Sequence, residues 1–437
     1  MEYIPNILFA IILVLGIGYF ARNVKRLIRN IKLGREVDTS DNTSERWRNM
    51  IRIALGQSKM VKRPIAGILH VIVYIGFVII NIEVLEIIID GIFGTHRIGL
   101  TVLPESVYGF LIGAFEVLAV LVLLAVIVFW TRRNVVKLKR FLSAEMTGWP
   151  KNDGNIILYF EVVLMCLFLV MNATDTMFQQ ANSGNVISQF IAPWFGDNTD
   201  TLVIIERTAW WLHIIGILIF LNYLYFSKHL HILLAFPNTY YGSVEPKGKF
   251  NNLEAVTNEV KLMMDPNADP FAAAPEGTEE EEPAKFGASD VMDLNRVQLL
   301  SAYTCTECGR CTSACPANLT GKKLSPRKIM MDTRDRLEEV GKNIDANGGE
   351  FKDDGKQLLG DYITNEELWA CTTCNACVEE CPVSINPLSI ILDMRRYLVM
   401  EQSAAPMELN NMMTNIENNG APWPYNQMDR LNWAKEE

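Results

Sequence analysis

Five apolar stretches, each long enough to cross a bilayer, lie in the first half of the chain. They cover residues 4–21, 65–93, 107–130, 155–176 and 202–228, and a spanning helix needs about 17–25 mostly apolar residues. Beyond residue 235 charged residues and prolines become frequent, and the hydrophobic positions follow a helical period with little strand-like alternation. We therefore predict an all-α protein, in which a five-helix transmembrane bundle precedes a soluble α-helical domain.

Basic residues are concentrated in two of the loops between these helices. One group follows the first helix and the other follows the third: Lys25, Arg26, Arg29, Lys32, Arg35, Arg46, Arg48, Arg52, Lys59, Lys62 and Arg63, then Arg132, Arg133, Lys137, Lys139 and Arg140. The opposite loops offer only Arg97 and Arg207. The positive-inside rule makes the basic loops cytoplasmic, so the N-terminus is expected outside and everything after Lys228 inside. The first helix lacks a preceding basic residue and a small-residue cleavage site, so we interpret it as a retained helix.

A cysteine pattern occurs twice in the last third of the chain. Each copy has the spacing C-x2-C-x2-C-x3-C-P, which is typical of [4Fe–4S] clusters. The first three thiolates of a copy hold one cluster and the fourth crosses to the other, because the following proline turns the chain away. The sequence thus predicts two ligand sets, Cys305, Cys308, Cys311 and Cys381 for the first cluster, and Cys371, Cys374, Cys377 and Cys315 for the second.

Zinc and disulfide bonds are the alternatives for these cysteines. Zinc sites also use C-x2-C pairs, but they have no use for the repeated third spacing and the proline. Disulfides are not expected on the reducing side of a membrane. The ninth cysteine, Cys166, lies in an apolar run and is interpreted as a small buried hydrophobe.

Composition supports a division of the 437 residues into unlike parts. The chain is 49% hydrophobic with a net charge of −10, and its acidic residues, such as the glutamate run at 279–282, lie mainly in the second half. This charge gives no indication of nucleic-acid binding. We predict a membrane domain at 1–235, an acidic and proline-rich linker at 236–287, a helical ferredoxin domain at 288–402 and an extended tail at 403–437.

Three histidines lie inside or at the ends of the predicted second and fifth helices. In the bilayer an ionisable side chain is costly and calls for a partner. His70 and His231 both lie near the cytoplasmic ends of their helices, so they can share one haem iron. A continuous fifth helix would present His213 and His231 on one face, about 27 Å apart, which outlines a two-haem arrangement. The alternative is an interfacial histidine bonded to a backbone carbonyl.

The partner of His213 is left open by the sequence. An outer haem can have one protein ligand, can use His96 if the loop at 91–94 folds back, or can be absent, and His213 can instead belong to a quinone site. Glu83 and Glu86 lie on a face of the second helix roughly opposite His70. Because carboxylates in membranes usually line polar cavities, we expect these two on a proton path to a quinone.

Both halves resemble known families. The stretches His70-Val-Ile-Val-Tyr-Ile-Gly-Phe, Trp210-Trp-Leu-His213 and Ser227-Lys-His-Leu-His231-Ile are similar to the five-helix cytochrome b of the nitrate reductase gamma subunit and the heterodisulfide reductase membrane subunit. Cys305-Thr-Glu-Cys-Gly-Arg-Cys and Leu368-Trp-Ala-Cys-Thr-Thr-Cys-Asn-Ala-Cys resemble the helical dicluster ferredoxin of heterodisulfide reductase and anaerobic glycerol-3-phosphate dehydrogenase.

The resemblance implies a membrane subunit of a prokaryotic inner membrane, with two b haems of which His70 and His231 hold the cytoplasmic one. The nitrate reductase subunit has a second histidine on helix two, but Ile80 and Asn81 stand at the corresponding place here. The implied partners are a quinone, in the first instance menaquinone, and a cytoplasmic flavoprotein or a subunit with cysteine-rich CCG domains. The tail resembles the segment that precedes such domains, so we expect it to bind the partner and the catalytic half to be a separate polypeptide.

These observations lead to one main hypothesis and two alternatives. The chain is expected to pass electrons between a cytoplasmic redox protein and the quinone pool through two clusters and b haem, as one subunit of a quinone oxidoreductase complex. An alternative is a membrane-anchored Fe–S relay or redox sensor without haem or quinone chemistry. A transporter is a weaker interpretation, because the sequence lacks broken helices and an inverted repeat.

Overall fold

The computed structural model describes residues 3–246, 248–266 and 285–435, with no side-chain placement for residues 254 and 255. Within them the fold is helical, with two isolated β-bridges and no strand. The α-helices are, in chain order, α1 (Ile4–Lys32), α2 (Thr43–Met50), α3 (Pro64–Phe93), α4 (Ile98–Val102), α5 (Glu105–Asn134), α6 (Trp149–Thr174), α7 (Thr176–Ala181), α8 (Ser188–Ile191), α9 (Thr199–Tyr223), α10 (His231–Tyr241), α11 (Glu254–Met264), α12 (Arg296–Thr304), α13 (Arg310–Ala314), α14 (Pro316–Leu319), α15 (Pro326–Ala346), α16 (Asn365–Trp369), α17 (Ala376–Glu380), α18 (Pro387–Met400) and α19 (Met407–Asn419).

Five of these helices are long and apolar enough to cross a membrane: α1, α3, α5, α6 and α9 with the short turn after it. The bundle packs α6 against α9 and α5, and α5 against α3, while α1 contacts α3 and α9. Its centre is apolar, with Ile112, Ala119 and Phe168 almost fully buried. The predicted fold class, five membrane helices followed by a helical Fe–S domain, is confirmed.

The first helix extends well beyond its predicted end at residue 21. Its last three turns are rich in polar residues and run on to Lys32, where they meet α15 and α12 of the soluble domain. There Arg29 pairs with Asp345, and Asn30 donates a hydrogen bond to the Tyr303 hydroxyl at 2.9 Å. Hydropathy marks only the part of a helix that lies in lipid, so it missed an extension whose partners are polar.

The fifth membrane helix is interrupted, which corrects the prediction of a continuous helix to residue 228. The α-helix ends at Tyr223, and Ser227 is extended, with φ −115° and ψ 147°. The Ser227 hydroxyl accepts a hydrogen bond from the His229 amide and begins a 3-10 turn over 228–230. His231 therefore begins a new helix, α10, and its direction relative to His213 is set by this break and not by helical periodicity.

The soluble domain packs α12, α15 and α18 around an apolar core that includes Leu299, Ile329 and Met394. Its helices begin at capping residues: the amides of Lys328 and Ser389 donate to the side chains of Ser325 and Asn386. Thr364 caps α16 reciprocally with Glu367. Caps satisfy the free amides of a first turn, which explains why the helices around both cysteine motifs were predictable.

The predicted linker begins inside a packed helix. α10 crosses residue 235, and Asn238 on it donates to the Val383 carbonyl at 2.8 Å and accepts from the Ser301 hydroxyl at 2.7 Å. The first part of the predicted linker, through Tyr241, is therefore part of the contact between the membrane bundle and the soluble domain. The acidic run at 279–282 lies outside the described residues.

Candidate electron-transfer site

The two cysteine loops have the same backbone shape. In each copy the residues two and four positions after the first cysteine have positive φ: Glu307 at 55° and Gly309 at 71° in the first, Thr373 at 55° and Asn375 at 60° in the second. These turns wrap the chain so that successive thiols face inward. The fourth cysteine of each copy is extended, which ends the short helix before it.

The first predicted ligand set comes together in the structure. Cys305, Cys308, Cys311 and Cys381 line one cavity, together with Cys377 of the second set. α13 and α17 pack against each other, and this brings Cys381, at the end of α17, to the first loop. Burial raises the pKa of the Cys305 thiol to about 12, and the charges of Glu307, Cys308 and Cys381 add to the rise. Such crowded thiols are unfavourable as anions unless a cation compensates them.

The second set is arranged in the same way. Burial raises the pKa of the Cys377 thiol to about 12, and its charged neighbours are Cys371, Cys315 and Cys374. Backbone amides donate to one sulfur of each set: Thr373 to Cys371 of the second set at 3.4 Å, and Ile385 to Cys381 of the first set at 3.3 Å. Such N–H···S bonds orient thiolate ligands and tune a bound metal. Two four-thiol sets of this kind fit two [4Fe–4S] clusters.

One loop of the membrane domain lies directly against the first ligand set. Residues 57–63 precede α3, and the Lys59 ammonium donates to the Cys381 carbonyl at 3.3 Å. From the other side Arg310 donates to the carbonyls of Lys59 and Met60, at 3.3 and 3.2 Å. The helix that carries His70 therefore starts at the wall of the first cluster site.

Buried charged residues form a second connection between the membrane domain and the first cysteine loop. Glu307, between the first two cysteines, pairs with Arg334 at 2.9 Å and with Lys228, which lies in the break of the fifth helix. Lys228 also donates to the Pro150 carbonyl at 2.6 Å. Although burial opposes its charge, these two cations lower the pKa of Glu307. The segment at 227–231 is thus held against the first cysteine loop.

His70 and His231 face each other at the end of the bundle nearest the soluble domain. Their ring centroids are 6.3 Å apart. Two imidazoles on opposite sides of a metal, with bonds of about 2.0 Å each, have ligating nitrogens about 4 Å apart, which this separation accommodates. His231 Nδ1 lies 3.2 Å from the Lys228 carbonyl and can donate to it, leaving Nε2 unprotonated. His70 Nδ1 is buried without a hydrogen-bond partner. The pair fits a bis-histidine haem site.

Sequence reasoning missed His229, whose ring lies 5.4 Å from that of His231 and 5.4 Å from that of Phe220. On an α-helix residues two apart would diverge by about 160°, but in a 3-10 turn they differ by only about 120°. The serine that breaks the helix is the sequence feature that points to this change.

Comparison with known proteins agrees with the thiol geometry. Residues 304–385 match the 4Fe-4S dicluster domain. The chain carries that domain, and the dicluster part of the sequence prediction is confirmed. The domain begins at the last residue of α12 and ends just after the second cysteine motif, so it contains all eight predicted cluster ligands.

Similar proteins extend the likeness to the membrane domain. A probable iron-sulfur-binding oxidoreductase, FadF, of Bacillus subtilis is 29% identical over 98% of this chain and 61% of its own length. The EtfAB:quinone oxidoreductase of Syntrophomonas wolfei is 26% identical over 92% of this chain and 55% of its own length. One component of a CoB-CoM heterodisulfide reductase of Methanosarcina acetivorans is 33% identical over 27% of this chain and 60% of its own length.

The chain thus spans about three-fifths or less of the length of each of these relatives. No solved structure matches. The relatives support an Fe–S electron-transfer role for the part of the chain that aligns with them.

His96, the candidate second ligand of an outer haem, contacts two charged side chains. Its Nε2 lies 3.1 Å from Asp175 and its Nδ1 lies 3.1 Å from Arg207, so both ring nitrogens contact charged side chains. The side chain is 38% exposed. Asp175 is also paired with the buried Arg97, and although burial opposes its charge, these two partners lower its pKa. A role for His96 as a haem ligand therefore stays a prediction.

His213 is deeply buried in α9 and its ring packs 6.2 Å from that of Phe168 on α6. Its Nδ1 has no hydrogen-bond partner among the described residues. An imidazole with an unused buried nitrogen can bind a ligand, but the structure brings no other histidine of the described chain into ring contact with it. Its role therefore stays a prediction.

The two candidate proton-path carboxylates differ in environment. Glu86 accepts hydrogen bonds from the Gly99 amide at 2.8 Å and the Tyr108 hydroxyl at 3.1 Å. Glu83, one turn deeper, is buried, and its Oε2 has no partner in the described part of the chain. An ionised carboxylate is costly in such a place. Tyr108 connects Glu86 to the buried Arg97 at 3.3 Å, so these three residues form one hydrogen-bonded cluster.

Proposed function

We propose that this chain is a membrane-bound electron-transfer subunit of a quinone oxidoreductase complex, which passes electrons between a cytoplasmic redox partner and the quinone pool. The observation that carries the proposal is the contact of one loop, residues 57–63, with both the Cys381 site and the helix that bears His70. When bound, the two clusters and b haem supply the one-electron transfers.

Residues of the chain would hold the two clusters and the haem in a fixed sequence from the redox partner to the membrane. The first thiol set is the one in contact with the loop at 57–63 of the membrane domain, so we place the second set nearer to the redox partner. Lys59, Arg310 and the pair formed by Lys228 and Glu307 fix the loop and the helix break against the first set. Rigid positioning of this kind keeps redox centres at a constant separation.

We further propose that Glu83 and Glu86 move protons for the quinone. Quinone reduction takes up two protons with two electrons, and the buried carboxyl of Glu83 can hold a proton within the bundle. Glu86, Tyr108 and Arg97 then lead to His96 at the outer surface. In this proposal His213, which packs on Phe168 of α6, binds an outer haem or the quinone.

The partner that we favour is a cytoplasmic flavoprotein. The EtfAB:quinone oxidoreductase among the relatives supports this, and a CCG-domain subunit is the second possibility. The tail offers a contact surface, because Trp423, Tyr425 and Trp433 are 56%, 67% and 77% exposed. Exposed aromatic clusters mark interaction sites. We place the Fe–S domain in the cytoplasm of a prokaryotic cell.

Reduction of the haem by a quinol tests the proposal. The purified chain with its cofactors is mixed anaerobically with a menaquinol analogue, and the reduced b-haem band is recorded. We expect the wild-type band to appear, the H231Q variant to lack the cytoplasmic-side haem, and the H96Q variant to retain that haem. A preparation with full iron content and no haem band would instead support the membrane-anchored Fe–S relay.

A further inference from the structure

A basic cavity opens beside the first cysteine loop, where the bundle meets the soluble domain. It has a volume of about 390 Å³ and lies between the start of α3, the end of α5 and the segment that follows α5. One water occupies about 30 Å³ in the liquid, so the cavity is large enough for a polar group of many atoms. Four of its eight lining residues are cationic, and none is acidic: Arg63, Arg132, Lys139 and Arg140 stand with Pro64, Ile65, Ala66 and Leu138.

These cations are poorly compensated. Arg63 pairs with Glu380 at 2.8 Å, but no carboxylate within the described ranges forms an ion pair with Arg132, Lys139 or Arg140. The Nε atom of Arg140 is buried without a hydrogen-bond partner. Burial lowers the pKa of Arg140, and the charges of Arg63, Arg310 and Arg132 lower it further, against the opposing effect of Cys308. An anion in the cavity would relieve this repulsion.

The walls of the cavity show what kind of anion fits. Ile65 is 63% exposed, and Ile68, one turn further along α3, is 59% exposed, so an apolar surface leads from the cavity along the lipid-facing side of that helix. Basic pockets between membrane helices on the cytoplasmic side bind the phosphates of lipid headgroups. A free phosphate would use the cations but not the apolar surface.

We infer that this cavity binds the headgroup of an anionic phospholipid, with the phosphate among Arg132, Lys139 and Arg140 and the acyl chains along Ile65 and Ile68. The site is independent of haem and quinone. It lies beside the first cysteine loop, as the distance of 3.5 Å between a Cβ atom built at Gly309 and the Cβ atom of Arg140 shows. A bound lipid phosphate therefore places a negative charge next to the segment that carries Cys308.

The test is lipid binding by the purified full chain in detergent, measured by native mass spectrometry with added phosphatidylglycerol or phosphatidylcholine. We expect the wild type to bind phosphatidylglycerol in preference to phosphatidylcholine. The double variant R132Q/K139Q should bind phosphatidylglycerol about thirtyfold more weakly, since each basic side chain near a membrane surface contributes about a fivefold increase in affinity for anionic lipid. Iron content reports that this variant is folded.

The matched control is R22Q/K25Q, which removes two cations from α1 away from the cavity. It should change the affinity for phosphatidylglycerol less than threefold. Equal losses in the two double variants would assign the effect to general surface charge and overturn the inference. Equal binding of the two lipids, or retention of inorganic phosphate alone with the same occupancy as phosphatidylglycerol, would overturn it as well.

Discussion

At the scale of the residue, the main feature is the exchange of one cysteine between the two motifs. Cys381 lines the cavity of the first set and Cys315 is a charged neighbour of Cys377 in the second. The prolines after them begin new turns and leave the extended cysteines pointing across the α13 and α17 contact. Each site therefore depends on both motifs, although the motifs are separated by the whole of α15.

Substitution of single cysteines tests this exchange. We expect C381A to affect the same cluster as C305A, and C315A the same cluster as C371A, as judged by the electron paramagnetic resonance signal that is lost. Each variant should fall from about eight iron atoms per chain toward about four. Loss of the other signal in C381A would show that each motif binds its own cluster.

The control for these variants is C166A, which should retain all the iron. Cys166 lies on α6, apart from both sets, and its side chain is exposed on the outside of the bundle. The interpretation of Cys166 as a buried residue is therefore corrected: an apolar run marks a membrane helix but does not tell which of its faces points to lipid.

The break at Ser227 predicts different roles for the two neighbouring histidines. His231 has the Nδ1 contact with a carbonyl that is typical of a metal ligand, whereas His229 packs on Phe220. We expect H229Q to retain the haem absorbance that H231Q loses, measured as haem per chain after extraction. If the H229Q variant lost haem and H231Q kept it, the assignment of ligands would be reversed.

At the scale of the element, buried ion pairs connect the loops of the bundle to the helices of the soluble domain. Glu145, in the loop before α6, accepts hydrogen bonds from Arg327 and Ser325 at 2.7 Å each, at the start of α15. The Arg327 side chain is fully buried, and it also donates to the Arg140 carbonyl at 2.7 Å. This contact positions α15 relative to the membrane bundle.

Removal of Glu145 should be costly because it leaves a buried guanidinium without its counter-charge. For E145Q we expect a loss of about 3 kcal/mol in unfolding free energy, typical of breaking a buried pair. Thermal unfolding in detergent, followed by tryptophan fluorescence, measures it. The control K62Q removes the exposed pair of Lys62 with Glu379, and should cost less than about 1 kcal/mol. Similar losses in both variants would contradict a buried role for Glu145.

The pair of Glu145 and Arg327 also predicts that the stability of the protein depends on pH. Burial alone would raise the pKa of Glu145, but hydrogen bonds from Arg327 and Ser325 hold it below its ordinary value. Because the folded pKa is the lower one, the stabilisation is fully present above the unfolded value of about 4.3 and is lost as pH falls through the folded value. The difference in stability between wild type and E145Q should therefore shrink below about pH 4. A constant difference across this range would show that Glu145 stays ionised.

At the scale of the whole molecule, the structure is a bundle with an Fe–S domain attached through many polar contacts. Polar residues of α1, the loop at 57–63 and α10 all contact the soluble domain. The basic loops that indicated the cytoplasmic side are the same segments that contact this domain. Positive charge there takes part in docking, and under the positive-inside rule it also predicts the orientation.

Orientation can be tested with reporters at the two termini. We expect a reporter that is active only in the cytoplasm to work at the C-terminus, and one that is active only outside the cytoplasmic membrane to work at the N-terminus. A double variant of Arg132 and Arg133 to Gln is the control for the charge argument, and the first loop should still hold the orientation. An active cytoplasmic reporter at the N-terminus would reverse the proposed topology.

The sequence by itself determined the five apolar spans, the helical soluble domain and the presence of a dicluster domain. These properties depend on the spacing of the cysteines and on the hydrophobicity of each segment, and both can be read directly from the sequence. Only the tertiary structure decided that Ser227 breaks the fifth helix, that His229 joins His70 and His231, and that His96 faces Asp175 and Arg207. The placement of His96 and of the break depends on contacts with residues far apart in sequence, such as Asp175 for His96 and Glu307 for Lys228, and periodicity carries no information about them.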